Sequence, residues 1–242
     1  MPERFSASNV EKFIACHASA NLDLAIPGWA PPIKDPLADN AANRGTRMHE
    51  IMAELMTLAI GDAKKFSEAL TYIAEVRSRR RFTTLIEHPV TADWLSTRPV
   101  TTADLVLHTK DEMHIIDLKT GKIPVSVVNN DQLLFYAASY GPLAPSAKGV
   151  MLHIVQPWAD NMESYFATAA EIQLFMDQAV LAEYDINQGD VTFSPGDHCL
   201  FCPANPHSRA AKGYPLCPVL MQMYYPTMPV DRSAILQEDL DE

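Results

Sequence analysis

Asp117 and Lys119 stand two residues apart at the end of an apolar run, Met113-His-Ile-Ile-Asp117-Leu-Lys119. Side chains alternate across a strand, so an acid and an ammonium at this spacing point to one side of a sheet. A carboxylate placed there can hold a divalent cation, while the ammonium positions a water or steadies developing negative charge. An acid-x-lysine pair is expected about once by chance in a chain of this composition, so its weight comes from its company. Asp104, in Thr102-Ala-Asp104-Leu-Val-Leu on the preceding strand of a hairpin, can face Asp117 and share one ion. Gln132 and Tyr136 are four apart and share a helix face. Gly45-Thr46-Arg47-Met48-His49 sets an imidazole one turn inside a helix. Glu87, before His88-Pro89 in a strand, has two open readings: it orients Lys119 or a second metal, or it is a solvated surface acid.

Taken in order, His49, Asp104, Asp117-x-Lys119 and Gln132-x3-Tyr136 resemble the RecB-like branch of the PD-(D/E)XK nuclease superfamily, over residues 45 to 136. Ile115-Ile-Asp117-Leu-Lys119-Thr-Gly121-Lys122 through Asn130-Asp-Gln132-Leu-Leu-Phe-Tyr136, with the early Ser6-Ala-Ser8 and Cys16, is similar to phage-type members. The resemblance implies an α/β, restriction-endonuclease-like core with a central mixed β-sheet flanked by helices. It also implies that His49, Asp104, Asp117 and the Leu118 backbone carbonyl are metal ligands, that Lys119 is catalytic, and that Gln132 and Tyr136 contact DNA near the scissile phosphate. The expected activity is that of an Mg²⁺- or Mn²⁺-dependent deoxyribonuclease, an exonuclease of phage-type replication or recombination. An imidazole ligand tilts the choice toward Mn²⁺, because Mg²⁺ is harder and prefers oxygen. Two other readings stand beside it: a nucleic-acid-binding module that keeps the fold without catalysis, and an iron–sulfur redox protein.

Four cysteines form a second constellation. Cys199-x2-Cys202 is a chelating pair, Cys217 follows after fourteen intervening residues, and distant Cys16 completes a tetrathiolate set. One cysteine before the histidine helix and three after the last helix resembles the iron–sulfur nucleases of the AddB and CRISPR-adaptation type, which implies a structural 4Fe–4S cluster. The gap before Cys217 is longer than in those families. Structural Zn²⁺ stays open, with His17, His198 or His207 replacing one thiolate.

The elements that must position these groups follow from hydrophobic period. Residues 6 to 25 read as a short N-terminal helix capped by Ser6-Ala-Ser8-Asn9, Arg44 to Ile60 as a helix, and Lys64 to Arg80 as another. Thr84 to Val90, Thr101 to Thr109 and Glu112 to Leu118 read as three strands, and Asp131 to Tyr140 as a helix. Gly149 to Gln156 reads as a compact strand and Ala167 to Gln188 as a long helix, giving the order α, α, β, β, β, α, β, α. Residues 1–228 are expected to form a single nuclease domain, with its core at about 40–188 and a Cys-rich, metal-stapled segment 189–218 closing onto the N-terminal helix. Residues 229–242 read as an acidic tail.

The chain has 242 residues, 48% hydrophobic and 20% charged, which excludes a disulfide miniprotein, a coiled coil and wholesale disorder. Nineteen Lys+Arg against thirty Asp+Glu leave a net charge of −11, so DNA must be met by a local basic lining. Candidates are Arg44 and Arg47 beside His49, the cluster Arg77 to Arg81 with Arg79 and Arg80, and Lys122 past the catalytic strand; a helix C-terminus equally favours such a cluster through its dipole. A phage or host recombination or replication protein is a further expected partner. Glu3, Arg4, Glu11 and Lys12 interrupt the N-terminal apolar residues, and no run approaches membrane-spanning length, so a cytoplasmic location with reduced thiols is expected, that of the host cell if phage-encoded.

Overall fold

The three expected strands pair as neighbours in a five-stranded mixed sheet of order β1-β2-β3-β4-β5. In the computed structural model, β1 (Thr83–Thr91), β2 (Val100–His108) and β3 (Met113–Leu118) run antiparallel in turn, and β4 (Gly149–Gln156) lies parallel to β3. β5 (Asn161–Thr168) returns antiparallel to β4. The structure describes residues 4–29, 49–50, 67–207 and 216–225. Most of the helix expected over Arg44 to Ile60, the arginines Arg44 and Arg47, and the tail 229–242 lie outside these; His49 and Glu50 are described and helical.

β3 is buried along its whole length, as an interior strand with a parallel partner and helices on both faces must be. Its even-numbered residues Ile116 and Leu118 pack with Leu105, Leu107 and Val155 against Ala69, Leu70, Ile73 and Val76 of the helix α3 (Ser67–Ser78). Leu105, Leu107 and Ile116 are essentially fully buried, each contributing roughly 1.5–3 kcal/mol by leaving water. The alternate side chains, Asp104 and Asp117 among them, belong to the face across which α4 (Asp131–Tyr140) packs on β1 to β4. Asn130 caps α4 by accepting the Leu133 amide at 3.1 Å, which fixes where Gln132 and Tyr136 project. Gly149 opens β4 where a Cβ would come within 2.2 Å of the Ala167 carbonyl oxygen, so any side chain would push β5 away.

The chain divides into two compact units, Pro36–Asp177 and Met1–Asp35 with Gln178–Glu242, the boundary falling within α5 (Ala169–Asn187). The first holds the sheet. In the second, α2 (Leu22–Ala25) and α6 (Pro218–Tyr224) gather around an apolar cluster of Leu22, Ile26, Cys202, Ala204, Cys217 and Leu220, and α1 (Val10–Ala15) packs beside the 3-10 turn Asp197–Phe201. Among the described residues no helix is long and apolar enough to cross a membrane.

Three expectations are corrected. The N-terminal helix is broken at Cys16, which is extended and followed by a 3-10 turn, His17–Ala20. The helix expected to reach Arg80 ends at Ser78, leaving Arg79 to Arg81 beyond it. The long helix begins at Ala169, because the preceding stretch is β5, an element absent from the expected order. As an edge strand with exposed Glu163 and Ser164, β5 is held by backbone pairing with β4 and carries little apolar signal. Its junction with α5 is a reciprocal capping box: Glu171 N–H donates to Thr168 Oγ1 at 3.2 Å, and Thr168 N–H donates to Glu171 Oε2 at 2.8 Å.

Candidate functional site

Continuing the β2–β3 register, Leu105 opposite Ile116, sets Asp104 opposite Asp117 at the open end of the pair. Residues opposite each other share a face, so the two carboxylates converge from adjacent strands. Asp104 Oδ2 accepts the Leu118 amide at 2.6 Å, and Asp104 Oδ1 lies 3.0 Å from His49 Nδ1. Asp117 is 2% exposed. Lys119 Nζ stands 2.9 Å from Asp117 Oδ2, outside hydrogen-bond alignment, and donates to Gln132 Oε1 at 2.7 Å. Gln132 Nε2 in turn donates to the Tyr136 hydroxyl at 2.9 Å. The structure thus brings together His49, Asp104, Asp117, Lys119, Gln132 and Tyr136. Leu118 takes part through its amide.

The electrostatics of the group share one sign. Burial pushes the Asp117 carboxyl up to about 6, with Lys119 pulling it down and Asp104 pushing it further up. The His49 imidazole is raised by its hydrogen bond to Asp104 against its own burial, with Asp117 and Glu87 adding to the rise. Glu87 is raised by partial burial of its carboxyl and then by Asp104. Tyr136 is raised by burial and by Asp117, so it stays a neutral phenol. Each of these shifts favours the protonated form, as expected where carboxylates crowd together with little positive charge among them.

Glu87 is exposed, and its carboxylate lies close to His49 and Asp104. One ligand atom each from His49, Glu87 and Asp104 lies within 4.8 Å of the others, a set able to hold a metal ion. Tyr140 was missed from the sequence. Its hydroxyl accepts the Ala103 amide at 3.1 Å and donates to the His88 carbonyl, bridging β1 and β2 beside this set. Gln156 was missed as well. It is fully buried, accepts the Val125 amide at 3.0 Å, and donates to the Gly121 and Ile123 carbonyls at 2.9 and 2.8 Å. That pins the loop carrying exposed Lys122. Both signals are non-local and have no sequence pattern.

The arginine cluster sits elsewhere. Arg80 donates to Glu112 at 2.9 Å and to Asp111 at 3.2 Å in the β2–β3 turn, at the end of β3 away from Asp117. Arg79 acts on Tyr72 and His153, groups associated with the α3 face of the sheet. Arg80 thus lies at the opposite end of the β2–β3 hairpin from Asp104 and Asp117, since a hairpin's turn and open end are separated by the length of its strands.

The four cysteines line one cavity with Phe193, His198 and Leu220. Burial pushes Cys202 up to about 11, and Cys217 is raised by burial as well, with the other thiols adding to both shifts. Backbone amides face the sulfurs: Gly196 N–H donates to Cys199 Sγ at 3.4 Å, and the amides of Ala204, Val219 and Leu220 are directed at Cys202 and Cys217. Of the histidines considered as a fourth ligand, His17 pairs with Asp190 at 2.7 Å and His207 packs on Tyr224. His198 alone of the three lines the cavity, its Nε2 at 3.6 Å from Cys199 Sγ.

Residues 67–231 match the family model described as "Protein of unknown function (DUF2800)". Among solved structures, the chain is similar to "Crystal structure of SSO0001", at 14% identity and a TM-score of 0.42, over 83% of this chain and 85% of that one. It is also similar to an alkaline exonuclease (LHK-Exo) from Laribacter hongkongensis, at 11% identity and a TM-score of 0.34, over 74% of this chain and 93% of that one.

Proposed function

Since the chain belongs to the DUF2800 family, whose model spans more than half of it, we propose for this member a metal-dependent phosphodiesterase acting on DNA, an exonuclease of the phage-type replication or recombination kind. The observation that carries the reading is the convergence of Asp104 and Asp117 from neighbouring strand ends, with His49 on one flank and Lys119 on the other. Two acids and an imidazole brought together from neighbouring elements are a donor set that fits a divalent cation. An Mg²⁺ or Mn²⁺ ion held by His49, Asp104, Asp117 and the Leu118 carbonyl would supply a Lewis acid for the phosphate and a water of lowered pKa.

The chain's own groups then have distinct tasks. Asp104 is held by the Leu118 amide, so its free lone pairs are oriented before any ligand arrives. Lys119, fixed between Asp117 and Gln132, offers an ammonium to the developing charge on the scissile phosphate or to the attacking water. Gln132 and Tyr136 form a relay that holds Lys119 and presents hydrogen-bonding groups on the DNA side. Lys122, exposed on the loop after β3, is the described cation best placed to meet the phosphate backbone. Arg80 is committed to its acidic partners and is left out of the lining.

The cysteine cavity fits a metal group by its donor set: four thiols, two of them raised by burial, with backbone amides aimed at sulfur and the Lys12 ammonium near Cys202. A 4Fe–4S cluster, or a Zn²⁺ ion in its place, would tie residues near Cys16 to those near Cys217.

The test compares end-labelled linear with closed circular DNA in Mn²⁺ or Mg²⁺, using wild type, Asp117→Asn and Lys119→Met. Degradation of the linear DNA, lost by at least a hundredfold in both variants, is expected; intact linear DNA with either ion would overturn the proposal. Anaerobic purification followed by visible absorption and iron and zinc analysis identifies the group held by the cysteines.

A further inference from the structure

We infer that Ile123, on the loop after β3, is an apolar contact for uncovered base faces, so that the DNA met at this site is an end or a single strand; this deepens the nuclease reading and rests on it. β3 and β4 run parallel, with Asp117 opposite Ile154 and Leu118 opposite Val155, and the Lys119 amide donates to the Val155 carbonyl at 2.9 Å. Gln156, the last residue of β4, therefore sits at the end of the sheet where Lys119 leaves β3. It gathers the loop there, accepting the Val125 amide at 3.0 Å and donating to the Gly121 and Ile123 carbonyls at 2.9 and 2.8 Å. Asn161, 8% exposed at the start of β5, donates to the Val125 carbonyl at 2.9 Å and to Gln156 Oε1 at 3.0 Å. Two buried side-chain amides thus fasten the carbonyls of Gly121 and Ile123 and both backbone groups of Val125.

What this fastening presents is an apolar tip. Gly121, Lys122, Ile123 and Pro124 are all exposed, Ile123 at 72%. A lone exposed apolar side chain is ordinary. One whose backbone is tied down by buried amides is ordered before any partner arrives, so its contact loses little entropy on binding. Between Lys119 and Asp131 the only charged residue is Lys122, so the loop offers a cation beside an isoleucine and no acid. A phosphate backbone uses the cation and gains nothing from the isoleucine. Base faces do gain from it, but in a continuous duplex they are stacked. Unstacking an internal step costs about as much as burying one whole isoleucine returns, whereas an end or a single strand incurs no such cost. Ile123 follows Lys119 by four residues, a reach of at most about 14 Å, or about four nucleotide steps. An end held with its scissile phosphate near Lys119 lies within that reach.

The experiment measures the Kd of the full chain for linear duplex, linear single-stranded and closed circular duplex DNA, on the Asp117→Asn background so that no DNA is consumed. Ile123→Ser is expected to raise the Kd for both linear DNAs about tenfold and that for the closed circle less than about twofold. Ile123→Leu should keep the affinity of the background, and so should Leu174→Ser, a remote exposed control. Lys122→Gln should weaken all three DNAs alike and lower the salt slope by about one. Thermal melts check that each variant folds, and Ile123→Thr, which keeps the β-branched shape, carries the test if Ile123→Ser does not. Unchanged binding of Ile123→Ser to the linear DNAs, or an equal loss on the closed circle, would overturn the base-face contact; the nuclease reading then stands if the wild type still degrades linear DNA with Mn²⁺. Failure to bind any of the three DNAs, with no cleavage by the wild type, would overturn the reading itself.

Discussion

Removing the Lys119 ammonium should destabilise the metal-free protein in a pH-dependent way, because its nearest acid is almost wholly out of water. Asp117 has a side chain 3% exposed, and Lys119 stands 2.9 Å from it at 25% exposure. Burial holds the Asp117 carboxyl at about 6 in the folded chain against 3.8 for the free group. An acid raised on folding favours the fold while it is protonated and works against it as pH climbs from the unfolded value through the folded one. At about 1.4 kcal/mol per pKa unit, ionised Asp117 costs the native state about 3 kcal/mol above pH 8. A Coulomb energy of about 5–6 kcal/mol at an effective dielectric of 20, reduced by roughly half for the partial exposure of the lysine, leaves its attraction worth about 2–3 kcal/mol. Lys119→Met should therefore push Asp117 up by about two further units.

The variant should cost about 2.5 kcal/mol in urea denaturation at pH 8.5 with EDTA, and only a few tenths beyond a constant packing loss at pH 5.5, where Asp117 is mostly protonated in both proteins. Asp117→Asn should stabilise the metal-free chain by up to about 3 kcal/mol at pH 8.5, and Lys119→Met placed on that background should lose its pH dependence. An equal cost of Lys119→Met at both pH values would refute the reasoning. It would mean that the lysine serves Gln132 and packing rather than the buried carboxylate.

Two further perturbations probe groups outside the proposed cation centre. His153, buried between His114 Nδ1 at 2.9 Å and the Tyr72 hydroxyl at 2.8 Å, is lowered to about 3 by burial and then by His114. Its contribution is complete above pH 6.5 and fades as the pH falls toward the folded value, because the unfolded imidazole takes its proton first. Between pH 7.5 and 5.5 the wild type should lose about 1.4 kcal/mol more than His153→Gln in denaturant unfolding; parallel curves would place the imidazole in a wetter setting. Gln156→Glu replaces the amide that donates to the Gly121 and Ile123 carbonyls with an acceptor. It should cost about 2–4 kcal/mol. Amide exchange should accelerate across residues 121–125 and stay unchanged in α3, whereas uniform acceleration would show that the residue supports the whole sheet rather than this loop.

Period and spacing alone made much of the scaffold legible. The apolar runs of β3 and β4 and the i, i+4 face of α4 are local patterns, and β4 and α4 begin and end where those patterns do. β5 was illegible because an edge strand is specified by its partner's open hydrogen-bonding groups, which leave little trace in its own side chains. The Thr168-x-x-Glu171 capping box was, by contrast, readable and marks the junction two residues later than apolar spacing suggests.

What the sequence determined by itself is which side chains can share a face: Asp117 with Lys119, and Gln132 with Tyr136, since alternation and helical repeat are properties of the backbone. Only the tertiary structure decided which faces meet. Register between β1 and β2 brought Glu87 to His49 and Asp104, the turn between β2 and β3 drew Arg80 to Asp111 and Glu112, and distant Cys16 came to the cavity of Cys199, Cys202 and Cys217. These are contacts between residues far apart in the chain. They depend on the packing energy of the whole core, which no short window of sequence contains.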